Sequence, residues 1–294
     1  MKKTFLLIFA LAMGMMAQAQ ILYRISGNGL QKDSYIMGTE HVIGGSFLFE
    51  VPGAFNALLS SELVCGELSL EEMAKQPSNM LLPDGKTIKD VLTEDEFKRL
   101  DEGFAKLTGT ALSSEKMFNQ MGRLTPTMLT TTISMFFVMQ QKPKFMDLNN
   151  GIDTYVQMMG RQRGKGCIGL ETMDFQSKVL FDVPLEKQVR DLMCTVDNLE
   201  SYRTLSNNLT EAYLTQDIEK ITAAMFAKLG NKCDATPEEE DRLIFNRNRD
   251  WAEKMPEIMS ARSTFFAVGA GHLCGDKSVL ALLKNKGYTV EPVK

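Results

Sequence analysis

Histidine is nearly absent from this chain: there are two among 294 residues, His41 and His272. Tryptophan occurs once, cysteine five times and proline nine times. Two histidines exclude a His-rich metal tract and an H-E-x-x-H helix. Five cysteines without a C-x-x-C pair exclude a zinc ribbon, a thioredoxin-like redox site and a small disulfide-knotted scaffold. No charge sign dominates: 33 Lys and Arg stand against 37 Asp and Glu, a formal net charge of −4. That balance argues against nucleic acid as the main partner. There is no G-x-S-x-G elbow and no P-loop. What remains is a globular composition, 44% hydrophobic and 24% charged, in a chain long enough to bury a substantial core.

Lys2 and Lys3 precede an almost unbroken apolar run from Thr4 to Met16, and Ala17-Gln18-Ala19 places small residues where a signal peptidase reads. Residues 1–19 therefore read as a signal peptide and residues 20–294 as the mature domain, exported to a bacterial periplasm or medium. The apolar run Ile133 to Met139 is too short to span a bilayer, so no transmembrane segment is expected in the mature chain. In an oxidising compartment, Cys194 and Cys233, which lie outside the apolar runs, are the best candidates for a disulfide. Cys65 and Cys167 lie within apolar runs and are expected as buried thiols.

Ile21 to Ser26 alternates apolar and polar, Gly27-Asn28-Gly29 signals a turn, and Ser34 to Gly38 is again strand-like; together they predict a β-hairpin. Short strands are also expected at Glu62 to Glu67, Gly166 to Glu171, Thr264 to Gly269 and Tyr288 to Glu291. Between them lie two long helical blocks, from Leu68 to about Arg163 and from Asp174 to Pro256. Thr93-Glu94-Asp95-Glu96 reads as a capping box. No Pro-, Gly- or Ser-rich linker divides the chain. The expectation is a single α/β domain: a mixed central β-sheet with an antiparallel edge hairpin, covered by the two helical blocks. The 20 methionines read as core filler.

Both histidines occupy one local pattern, an apolar strand followed by G-x-x-H: Gly38-Thr39-Glu40-His41 and Gly269-Ala270-Gly271-His272. With 22 glycines in 294 residues, the chance of Gly at −3 from both is about 0.006. Glycine lets the chain turn sharply at a strand end. The histidines would then project at the carboxyl edge of the sheet, where open α/β folds bind ligands. Two glutamates close strands in a related way, Cys65-Gly66-Glu67 and Gly169-Leu170-Glu171. The order His, Glu, Glu, His suggests two half-units related by a pseudo-twofold. Two imidazoles and two carboxylates at one edge suit Mn, Co or Zn, with a spare carboxylate as general base. The same four residues can also perform metal-free acid–base chemistry.

At these residues the chain resembles the TraB/GumN family, which includes the Tiki metalloproteases. The resemblance rests on Gly38-Thr39-Glu40-His41 with Pro52, Gly66-Glu67, Gly151-Ile152-Asp153, Gly169-Leu170-Glu171-Thr172 with Gln176, Arg247-Asn248 with Trp251, and Val268 to Leu273. It implies metal-dependent cleavage of peptides, with the substrate itself, peptide or small molecule, left open. His41 and His272 would be ligands, and Glu67 and Glu171 would divide the roles of ligand and base. Arg247 and Asn248 would lie beside them, the arginine binding a substrate carboxylate or an oxyanion, and Trp251 is expected in the core. The wider superfamily resembles erythromycin esterases, in which a histidine acts without metal, and a haem-binding lipoprotein. Two other readings therefore stand beside the first: a non-catalytic binder of metal, haem or a partner protein, and a metal-free esterase-like hydrolase.

Overall fold

The run Phe265-Phe266-Ala267-Val268 is apolar at every position, the pattern of a strand covered on both faces. In the computed structural model, which describes residues 20–293, it lies inside a six-stranded sheet. The expected signal peptide, residues 1–19, lies outside the described residues. The strands are β1 (Leu22–Ser26), β2 (Ser34–Thr39), β3 (Leu63–Gly66), β4 (Gly166–Gly169), β5 (Thr264–Gly269) and β6 (Thr289–Pro292). Their order is β4-β3-β5-β2-β1-β6. Neighbours from β4 to β2 are parallel, while β1 pairs antiparallel with both β2 and β6. The hairpin thus forms the antiparallel side of a mixed sheet, with β6 outside it. Gly27, Asn28 and Gly29 all adopt positive φ in its turn, a conformation in which glycine carries no steric cost.

Alternation along β5 builds two cores. Phe265 and Ala267 pack with Ala54, Leu58, Ile152 and Val156, from the helices Ala54–Ser60 and Ile152–Gln162. Phe266 and Val268 pack with Trp251, Met255, Val279 and Leu283, from the helices Asn246–Ala261 and Val279–Asn285. Gly160 allows the first layer to sit close: a Cβ there would lie 2.5 Å from Val64 Cγ2 of β3. A third core, away from the sheet, joins Leu100, Phe104, Ile133, Phe137 and Leu192 of three further helices. The capping box forms as expected, Thr93 with Glu96 at the start of the helix Glu94–Thr108.

Cys194 and Cys233 form a disulfide, with Cα atoms 5.5 Å apart. Cys65 is buried, but Cys167 is only half-buried. The expectation for Cys167 fails because β4 is the outermost strand on its side of the sheet, and all four of its residues are partly exposed. Among the described residues no helix is long and apolar enough to cross a membrane.

Candidate functional site

The parallel strands end together. β2 and β5 are neighbours in register, Thr39 opposite Gly269, and β3 and β4 likewise, Gly66 opposite Gly169. The half-unit pattern thus becomes a histidine pair and a glutamate pair, joined where β5 meets β3. His41 follows β2, Glu67 follows β3, Glu171 lies two residues beyond β4, and His272 sits in the short 3-10 turn Ala270–Leu273 after β5. All four therefore stand at one carboxyl edge, as the Gly-ended strands predict.

Arg247, on the helix Asn246–Ala261, reaches into the middle of them and is 5% exposed. Its Nε donates to Glu171 Oε1 at 2.8 Å, and its Nη2 to Glu67 Oε2 at 2.6 Å and Glu171 Oε2 at 2.9 Å. Its Nη1 donates to Leu243 O at 3.3 Å and His272 Nε2 at 3.1 Å. A guanidinium has five N–H groups, so every one is engaged by the protein itself. The carboxylates are equally occupied. Glu171 Oε1 also accepts from Trp251 Nε1 at 2.9 Å, and Glu67 Oε1 from the Gly269 N–H at 2.7 Å. Gln176 Nε2 donates to Glu67 Oε2 at 3.1 Å. Burial alone would raise the Glu67 carboxyl, but the positive charges of Arg247 and His41 and the Gly269 N–H hold it down, below the usual carboxylate range.

His272 is 3% exposed and lies against the Trp251 ring, with ring centroids 4.2 Å apart. Asn248 fixes its tautomer. The Asn248 Nδ2 donates to Lys277 O at 2.9 Å, so its Oδ1 is the atom facing His272 Nδ1 at 2.6 Å. An amide oxygen only accepts, so Nδ1 carries the proton and Nε2 offers its lone pair to Arg247. The imidazole is neutral: burial, with the positive charges of Arg247 and His41, outweighs Glu67 and pushes its pKa down to about 3.

This arrangement corrects the metal expectation. Among the described residues no group of three or more His, Cys, Asp or Glu is placed to hold a metal ion. The physical reason is Arg247. A buried cation already lies between Glu67, Glu171 and His272, takes up their lone pairs and balances their charge. The two-His/two-Glu ligand set, the Mn, Co or Zn cofactor and the metalloprotease reading drawn from it are not supported by these residues.

His41 stands apart. Its side chain is 71% exposed, and its Nδ1 lies 2.9 Å from Asp153 Oδ2. Asp153 is in the first turn of the helix Ile152–Gln162, and its Oδ1 accepts a hydrogen bond from Thr39 Oγ1. The Asp153 carboxylate raises the His41 pKa well above that of an ordinary histidine, favouring imidazolium. Sequence reasoning placed Gly151-Ile152-Asp153 only in a resemblance and gave Asp153 no role. Trp251 is buried in the core as expected, and its N–H also serves the site.

A pocket of about 250 Å³ opens over His41, Glu67, Arg247 and His272. A second, of about 390 Å³, lies over His41, Glu67 and Asp153. A larger cavity of about 900 Å³ lies beside the Cys194–Cys233 bridge and includes none of the strand-end residues.

The sequence model of the TraB/PrgY/gumN family matches residues 21–292. The chain belongs to this family. Similar proteins include the "Metalloprotease TIKI homolog" of Amphimedon queenslandica, 25% identical over 87% of this chain and 58% of that protein. "Metalloprotease TIKI1" of Homo sapiens is 24% identical over 88% of this chain and 59% of its own length. "Metalloprotease TIKI2" of Danio rerio is 24% identical, over 88% and 58% respectively. The chain therefore spans under two thirds of these relatives. No solved structure matches it.

Proposed function

We propose that this protein is a metal-free, esterase-like hydrolase in which His41 is the acid–base residue and Asp153 positions it. The observation that carries this reading is the chain Thr39–Asp153–His41 at the mouth of the cleft. Asp153 accepts the Nδ1 proton, which turns Nε2 toward acid–base work and stabilises the imidazolium formed when a proton is taken up. In its neutral form, whose share grows as pH rises toward its raised pKa, His41 takes a proton from water attacking a carbonyl carbon and returns it to the leaving alcohol. His272 does not fit that role, because its lone pair is held by Arg247 and burial disfavours its protonation. Arg247 is a positioning residue, bracing Glu67 and His272 as the cleft wall.

Export to an oxidising compartment belongs to the same proposal, and the Cys194–Cys233 bridge supports it. The test is hydrolysis of p-nitrophenyl acetate with and without EDTA. Wild type is expected to keep its rate in EDTA, and His41→Ala to lose about 100-fold or more in kcat/KM, the usual weight of a general base. Full activity in His41→Ala, or activity lost in EDTA and restored by added metal, overturns the reading.

A further inference from the structure

The two pockets over the site are arms of one cleft. They share His41, Glu67, Gln176 and Leu180, so the exposed imidazole stands at their junction. One arm runs over the Gly269–His272 turn and is walled by Ile221, Met225 and Ile244. The other runs past Asp153 and is walled by Leu68, Met73 and Leu148. Each arm is thus largely apolar, and each holds a methionine, a side chain that adapts to the shape it meets. Met225 lies directly on the turn: a Cβ on Gly271 would come within 3.0 Å of Met225 Cε.

Charge narrows the occupant further. Among the described residues the only Lys or Arg lining either arm is Arg247, and its five N–H groups are engaged by the protein. Glu40, Glu67 and Asp153 line the same cleft. A carboxylate or phosphate entering either arm would meet these acids, with the His41 imidazolium already paired to Asp153 and no lysine or free arginine to offset them. One polar group is left over in the second arm. Gln157, 1% exposed, donates from Nε2 to Leu68 O, while its Oε1 has no hydrogen-bond partner among the described residues. That atom calls for an N–H or O–H donor, not for an anion.

We infer that the cleft takes an uncharged ester or amide with an apolar group on each side of the carbonyl, one group in the Met225 arm and the other in the Met73 arm. The inference deepens the esterase-like reading, on which the identity of the reacting bond rests; the binding preference itself does not need turnover.

The test uses the protein's single tryptophan. Trp251 lies against His272, which lines the first arm, so its emission reports occupancy. The probes are N-hexylhexanamide, its one-armed truncations N-methylhexanamide and N-hexylacetamide, and an N-hexylhexanamide analogue ending in a carboxylate. The two-armed amide is expected to bind about tenfold or more tighter than either truncation, and the carboxylate analogue about tenfold weaker than the neutral one. Leu148→Asp should erase the advantage of one arm and Met225→Lys that of the other, with unfolding midpoints checked. If either variant fails to fold, the wild-type probe series decides alone. Truncations that bind as tightly as the full amide, or a carboxylate analogue that binds as well, overturn the inference. Hydrolysis of hexyl hexanoate separates the two proposals. The two-armed preference without turnover leaves this inference standing and removes the hydrolase. Turnover without that preference removes only this inference.

Discussion

Asp153 Oδ2 lies 2.9 Å from His41 Nδ1, across the gap between the end of β2 and the first turn of the helix Ile152–Gln162. At the other histidine the corresponding partner is an amide, Asn248. A carboxylate favours the charged imidazole, whereas an amide oxygen in a buried wall only fixes a tautomer. The two G-x-x-H motifs, alike in sequence, thus hold their imidazoles in opposite protonation states.

With two histidines in the chain, NMR can follow each without ambiguity. His41 is expected to stay protonated well above pH 6.5, and His272 to stay neutral down to about pH 3. Asp153→Asn should return His41 toward 6.5 and leave His272 unmoved. Asn248→Asp should raise His272, because a carboxylate would then face its Nδ1. Two imidazoles titrating together near 6.5 would contradict both partner assignments.

The same shifts set the pH dependence of stability. His272 has a depressed folded pKa, so its contribution is present above 6.5 and is lost as pH falls toward about 3. Glu67 is likewise depressed, and its contribution is lost as pH falls below 4.5. His41 is raised, so its contribution is present below 6.5 and is lost as pH rises toward about 10. Melting temperature should therefore fall on both sides of neutrality. His272→Gln should flatten the limb from pH 6.5 down to 3, and Asp153→Asn the alkaline limb. A profile unchanged in both variants would show that these residues do not set it.

Arg247 is expected to be the most sensitive single position at the strand ends. Removing it leaves Glu67 and Glu171 buried and unpaired, a change that costs about 3–5 kcal/mol. Arg247→Lys should recover little, because one ammonium cannot reproduce five donors in a planar fork. Joint replacement by Arg247→Met, Glu67→Gln and Glu171→Gln should cost less than Arg247→Met alone. Urea unfolding of the three proteins checks the order. Equal losses in the single and triple variants would mean that charge burial is not the cause.

The strand ends were legible because each of the four parallel strands closes on glycine or G-x-x-H, a pattern local in sequence. The disulfide was legible too, since Cys194 and Cys233 fall outside the apolar runs. Arg247 was recognised, but its place was not. It comes from a helix 180 positions after Glu67, and no spacing records that its fork fills the gap between the acids. Counting donors therefore suggested a metal, whereas the fold supplies the cation itself. Asp153 was hidden for a similar reason. Its partner is 112 positions away, and only the pairing of the helix start with the end of β2 brings them together.

The disulfide carries the last prediction. It closes a span of 39 residues, from the helix Leu185–Asp197 to the loop before Pro237. Loop-closure entropy for that length gives about 2–4 kcal/mol of stabilisation. The span includes Ile221 and Met225 of the first arm, and its Phe226 stacks on Phe245 at 5.9 Å. Freeing Cys233 should therefore loosen one wall of the cleft while leaving the Asp153 side in place. Cys194→Ser with Cys233→Ser is expected to lower stability by about 2–4 kcal/mol. Hydrogen exchange should rise across residues 218–236 and stay unchanged at the start of the helix Ile152–Gln162. Thiol mapping should find Cys65 and Cys274, both buried, alkylated only after unfolding. Exchange that rises equally around His41 and Met225 would mean that the bridge stabilises the whole fold rather than that wall.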